Sequence, residues 1–234
     1  MILIIIILSA ALYAFSYILS KKSGQTVFAM LMGIIFSAAL VFLTINFTDH
    51  FGMKKVSTEK TIELVSSAGD ASGMNVLLYQ PIGTEDEKVY LYQTPGSKKP
   101  KPTDTEKTSN VVESSDKAQL VVEKINWKYK NNFYKTLFAF AGNDNDLVEV
   151  VNHFEIPDTW VTLSVDQVKE LQKLATERQA DMAKDIQAAI QKEVMAEMKK
   201  NPKMTEAEQK ALVEKLTAEK QAEAMKALIA EVTK

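Results

Sequence analysis

The chain has 234 residues, 28 basic and 30 acidic side chains and a net charge of −2. A balance this close to neutral carries no global basic signature for nucleic acid, and Arg178, the only arginine, leaves little for bidentate phosphate or carboxylate clamps. The absence of cysteine excludes disulfides, thiol catalysis and cysteine-based zinc sites.

Two apolar runs open the chain, residues 2–20 and 27–48, and neither contains a charged side chain. At about 1.5 Å per residue each is long enough for a hydrocarbon core of roughly 30 Å. Ser9, Ser16, Ser20, Ser37 and Thr44 fit such a setting because their hydroxyls can bond back to the helix backbone. No basic residue precedes Ile2, as a cleaved signal peptide would require, so the first run reads as retained. The expectation is a two-helix transmembrane hairpin over residues 1–50, with the lipid bilayer as its partner. Lys21 and Lys22 in the connector favour a cytoplasmic turn and an extracytoplasmic C-terminal domain, although Lys54, Lys55 and Lys60 after the second run pull the other way. Ala10 and Ala14 on the first run, and Ala29, Gly33 and Ser37 on the second, repeat every fourth residue. Such small-residue stripes let helix backbones approach, either within the hairpin or against another membrane protein.

Residues 51–163 change to β-branched and alternating segments divided by Gly, Asn, Asp and Pro, and read as one mainly β domain. Strands are expected at 61–66, 74–80, 88–93, 118–123, 125–130, 133–140, 147–154 and 160–163. The clearest alternation is Ile125-Asn126-Trp127-Lys128-Tyr129-Lys130; Asn131-Asn132 then suggests a hairpin turn into 133–140, giving a small antiparallel sheet or sandwich. Residues 94–110, with three prolines and few apolar groups, read as a long exposed loop. Gly142-Asn143-Asp144-Asn145-Asp146 starts like a calcium loop, but Val148 and Glu149 break the ligand pattern, and a turn between strands fits better. His50 and His153 stand alone, and no nucleophile–base spacing emerges. The sequence therefore nominates no catalytic, cofactor-binding or metal residue.

Ser164-Val165-Asp166-Gln167 and Thr205-Glu206-Ala207-Glu208 are capping boxes. They open two long helices in residues 164–234, broken at Asn201-Pro202, with a narrow Ala/Met-rich stripe and thirteen acids interleaved with thirteen bases from Asp166 to Lys234. A helical hairpin or short coiled coil is expected.

The short Lys-bearing connector between two apolar runs, Val89-Tyr90-Leu91-Tyr92-Gln93-Thr94-Pro95, Trp127-Lys128-Tyr129-Lys130-Asn131-Asn132-Phe133 and Ile156-Pro157 with Trp160-Val161 together resemble a family of small two-span membrane proteins of lactic-acid bacteria known as a domain of unknown function. The resemblance covers roughly residues 1–175 and implies a Gram-positive envelope setting without implying an activity. The fold expectation is a membrane-anchored α+β protein. The function expectation is a non-enzymatic envelope protein acting through protein–protein or cell-wall contacts, with a protein partner or self-association through its transmembrane or C-terminal helices. Its aromatic contact candidates are Trp127, Tyr129, Phe133 and Tyr134. The rival readings are an accessory subunit of a transport or other membrane complex, an envelope hydrolase lacking any visible constellation, and a cytoplasmic scaffold.

Overall fold

A computed structural model describes residues 1–18, 23–69, 74–83, 87–201 and 205–233. Lys21 and Lys22, on which the orientation argument leans, lie outside the described residues. The chain is α+β and divides into two compact units: Met1–Leu64 with Asp104–Asp158, and Val65–Thr103 with Thr159–Lys234. The stretch 51–163, expected as one β domain, thus contributes a sheet to each.

The first unit begins with helices α1 (Ile2–Ile18) and α2 (Ser23–Thr48). They run antiparallel: Ile2 clusters with Ala39, whereas Tyr13 lies against Gly33. The buried or half-buried face of α2 recurs at Ala29, Gly33, Phe36, Ala39, Leu43 and Asn46, the three-to-four spacing of a helix laid along another. Ser9 and Thr44 donate back to the carbonyls of Ile5 and Leu40, so these hydroxyls satisfy themselves inside the helices.

Beyond α2, β1 (Met53–Glu63), β5 (Thr108–Ser114), β6 (Gln119–Tyr129) and β7 (Leu147–Ile156) form a sheet in the order β1-β6-β7-β5. β1 and β6 pair antiparallel through eleven residues each, from Met53 opposite Tyr129 to Glu63 opposite Gln119. The β5–β7 pair is parallel, so the sheet is mixed rather than antiparallel. The two strands expected at 118–123 and 125–130 are one, with a register irregularity at Ile125/Asn126.

Residues 133–140, expected as a returning strand, instead contain helix α3 (Asn132–Phe138). Asn131 does not turn a hairpin. It is extended (φ −159°) and its side chain accepts the Tyr134 N–H, which is N-cap chemistry. Tyr134, Leu137, Phe138 and Ala141 then face inward at helical spacing, while Phe133 and Phe140 remain exposed. The Gly142–Asp146 segment consequently joins a helix to a strand rather than two strands.

The second unit carries β2 (Val76–Ile82), β3 (Glu87–Tyr92), β4 (Lys101–Pro102) and β8 (Val161–Ser164) in the order β4-β3-β2-β8, with β2–β8 parallel. The expected 94–110 loop is therefore interrupted. Lys101 and Pro102 pair with Tyr92 and Leu91, and the buried Thr103 accepts the Tyr90 N–H on its hydroxyl. Helices α4 (Val165–Lys200) and α5 (Glu206–Val232) follow. Both capping boxes form as expected: Ser164 with Gln167, and Thr205 with Glu208. Val76, Leu163, Leu171, Leu228 and Ile229 make the shared core, so the stripes of both helices pack on each other and on the sheet at one end of the helix pair.

Candidate contact surfaces

Among the described residues one helix, through its stretch Gly24–Thr48, is long and apolar enough to cross a membrane, and only 11% of its most apolar window is buried. The described part of α1, 17 residues, spans about 25 Å. Apolar side chains crowd the outer surface of both helices, including Ile7, Phe15 and Ile18 on α1 and Val27, Met30 and Ile34 on α2. Isolated exposed apolar residues are ordinary, but a continuous apolar surface marks a membrane or protein contact. Of the expected small-residue stripes, Ala29 is buried and a Cβ at Gly33 would meet the Tyr13 ring at 3.4 Å, so these two serve α1–α2 packing. Ala10 is half-buried, whereas Ala14 and Ser37 are exposed. A shallow cleft of about 780 Å³ opens on the side where Ala10, Tyr13, Met30, Gly33, Ser37 and Val41 meet.

The junction of α2 with the sheet is unusually well tied. His50 (φ +53°) and Gly52 (φ +82°) both take left-handed backbone conformations, turning the chain from helix into β1. At Gly52 the conformation and the space both demand glycine, since a Cβ would fall 2.5 Å from Cδ1 of Tyr134. The fully buried Asn46 donates to the Phe51 carbonyl at 2.8 Å. Asn143, also buried, donates to Asn46 Oδ1 at 3.0 Å and accepts from the Tyr129 hydroxyl at 2.6 Å. Burial, then the negative charges of Asp144 and Asp146, push the Tyr129 pKa up and keep its phenol a donor. Around this network Phe51 meets Tyr134 edge-on at 5.7 Å, and Tyr134 and Tyr129 stack on Phe138.

The four aromatic contact candidates therefore divide. Trp127 is stacked on His50 at 4.1 Å, with Lys55 Nζ 5.6 Å from its ring centroid. Tyr129 and Tyr134 are held in the junction, and only Phe133 projects, at 68% exposure. Sequence reasoning passed over Asn46, whose signal was a lone amide inside an apolar run, and read Asn143 only as part of a turn.

His153 lies between carboxylates, Nδ1 3.5 Å from Glu113 and Nε2 3.8 Å from Glu123. The Ser57 hydroxyl donates to Glu123 Oε1 at 2.6 Å on the far side of that carboxylate, and no cluster of three or more His, Cys, Asp or Glu able to hold a metal occurs among the described residues. In the second unit, a groove of about 850 Å³ runs between α4 and α5 beyond their shared core. Its walls include Met182, Ile186, Ile190, Met195 and Met198 of α4 with Val213 of α5, and its polar lining consists of Gln and Thr without a charged residue. Its rim is charged: Lys220 bridges Glu193 and Glu223, and these two carboxylates hold the ammonium above its ordinary range.

These surfaces define an α+β protein with an uncovered apolar helix pair and a separate Met-lined helical groove. The chain matches the family described as Domain of unknown function (DUF4811) over residues 21–171, and it belongs to that family. No curated protein and no solved structure matches it.

Proposed function

We propose that this protein is a membrane-anchored, non-enzymatic contact module of the cell envelope. In this reading α1 and α2 both stand in the bilayer, and the sheets and α4–α5 face the outside. The observation that carries it is the bare apolar surface of α1 and α2, which the described chain leaves uncovered. Burying such surface contributes about 25 cal/mol per Å², so roughly 300 Å² of it outweighs a surface ion pair of about 0–1 kcal/mol. The partner is an amphipathic helix, of another protein or a second copy, laid against the Met-lined groove of α4 and α5. Methionine side chains re-pack around apolar helix faces of different shape, which suits this use.

Alkaline carbonate extraction of membranes tests the anchor: the protein is expected in the pellet, and release into the supernatant counts against it. Protease added to intact cells tests the side: loss of the α4–α5 region is expected, and full protection overturns the extracytoplasmic assignment. Photo-crosslinking from Met195, 61% exposed in the groove, tests the contact by capturing a partner or a dimer.

The cleft beside Ala10, Gly33 and Ser37 favours a second reading, an accessory subunit docked to another integral membrane protein. Ser37→Leu places a bulkier apolar side chain in that cleft at an exposed position. Loss of co-purifying membrane partners supports this version, and an unchanged partner set removes it.

A further inference from the structure

We infer that α3 and the strand ends beside it form a foot that rests in anionic lipid headgroups. The inference builds on the membrane reading of α1 and α2, and four observations carry it.

First, the two long helices end at different levels. Ile2, the start of α1, clusters with Ala39, nine residues before the end of α2 at Thr48. Nine helical residues amount to about 13 Å. The 26 residues of α2 span about 39 Å, more than a hydrocarbon core of roughly 30 Å, and its Thr48 end is followed within five residues by β1, which has to stand outside that core. Second, α3 fills the step left by α1. Phe138 is fully buried in the cluster with Ile2 and Ala39, and the Met1 amino group donates to the Thr136 and Leu137 carbonyls at 2.9 and 3.0 Å. The helix is thereby held against the start of α1 and the last turns of α2, on the side where α2 leads into the sheet.

Third, Phe133 at the start of α3 and Phe140 just past its end stand 68% and 67% exposed, Phe133 meeting the Tyr134 ring edge-on at 5.4 Å. In water these rings are a cost; in the interfacial layer apolar aromatic side chains are stabilising. Fourth, lysines ring the same end of the sheet. Lys54 lies opposite Lys128 across the β1–β6 ladder, a like-charge pairing that disfavours itself unless an anion intervenes. Lys130 follows, its N–H bonded to the Gly52 carbonyl, and Lys128, Lys130 and Lys135 line a polar hollow of about 510 Å³ with Asp144 and Asn131. Lys135 is paired with Asp144 at 3.7 Å, whereas Lys54, Lys128 and Lys130 have no ion-pair partner among the described residues. Lysines over an anionic leaflet are attracted to it, the more strongly the lower the salt. Exposed rings flanked by lysines are the composition of an element lying on a membrane surface.

The chain has no cysteine, so a single introduced one takes a nitroxide label uniquely. Phe133→Cys and Phe140→Cys are compared with Ile35→Cys in the middle of α2 and Glu59→Cys along β1. The full chain is placed in nanodiscs of equal parts phosphatidylglycerol and phosphatidylcholine. Oxygen and nickel-chelate accessibilities read depth. Labels at 133 and 140 are expected between the two references, with nickel accessibility several-fold below that at 59. They are expected to shift toward water in discs of phosphatidylcholine alone. If 133 and 140 are as aqueous as 59 while 35 is deep, the foot is overturned and the anchor stands. If 35 is aqueous too, the anchor itself fails. Equal depth in both lipids overturns the role given to the lysines.

Discussion

Each unit combines a four-stranded mixed sheet with a pair of long helices, yet the outward faces of the two pairs have opposite chemistry. On α1 and α2 the outward side chains are Ile, Leu, Phe and Val; on α4 and α5 they are Lys, Glu, Asp and Gln. The fastenings differ accordingly. The first unit is tied at its helix–sheet junction by buried amides, a phenol and stacked rings. The second is held by one apolar cluster at one end of its helices, with exposed ion pairs along the rest. A helix pair with an apolar exterior gains nothing in lipid from apolar contact alone, because lipid tails match it. On the membrane reading, polar and aromatic fastening at its end is what holds such a pair to its sheet. A charged pair in water has the hydrophobic effect available, and a small cluster suffices.

The largest effects should come from breaking each fastening at its centre. Phe138→Ala removes a fully buried ring and should cost about 3–5 kcal/mol; Leu163→Ala in the other unit should cost about 2–5 kcal/mol. Denaturant unfolding in detergent, read by near-ultraviolet dichroism, checks both. Each substitution is expected to lower the transition of its own unit, and a single common transition moved equally by both would mean that the two units are not fastened independently.

Next come substitutions at the junction. Asn46→Ala leaves Asn143 buried with one partner fewer, a cost of about 1–3 kcal/mol. Gly52→Ala adds roughly 1–2 kcal/mol of left-handed strain to a collision with the Tyr134 ring. Both should loosen α3, seen as faster amide exchange over Phe133–Phe138. Unchanged protection there would mean that the sheet holds α3 without the network.

The two halves of the fold were also unequally legible. Both long C-terminal helices and their caps could be read in advance, because capping boxes and uninterrupted three-to-four spacing are local signals. The α+β class and the apolar N-terminal helices were equally open to reading. The partition of residues 51–163 into two sheets was not, since two parallel pairings, β5–β7 and β2–β8, join segments far apart in the chain. α3 was misread because Phe133, Tyr134, Leu137 and Phe138 fit a strand as well as a short helix until Asn131 is seen to cap. At the contact surfaces, the apolar helix faces and Phe133 were visible beforehand. Asn46, Asn143 and the step between α1 and α2 were not, since they arise only when distant elements meet.

Smaller effects separate the charged helices from the apolar ones. Arg178 makes a bidentate pair with Glu231 at 2.7 and 2.8 Å, and that hydrogen bonding raises the guanidinium pKa further. Both groups are about half exposed, so water and salt screen the pair. Arg178→Ala is expected to leave the thermal midpoint of the second unit unchanged in physiological salt. A clear drop would show that the ion pairs, and not the apolar cluster alone, hold α5.

The smallest expected effect distinguishes the two caps. Glu208 accepts from the Thr205 backbone and side chain, and both bonds hold its carboxyl below the ordinary carboxylate value. A lowered folded value means that this cap contributes fully above the ordinary carboxylate pKa and is lost as pH falls through the lowered one. Gln167, in the same position on α4, does not titrate. On acidification the Cα shifts of residues 206–210 should lose helical character before those of residues 165–168 do. Glu208→Gln should abolish that difference, because the amide oxygen accepts the same bond at every pH. Parallel fraying of both helix starts in the unsubstituted chain would place the acid sensitivity in the shared core that both helices enter, rather than in the cap.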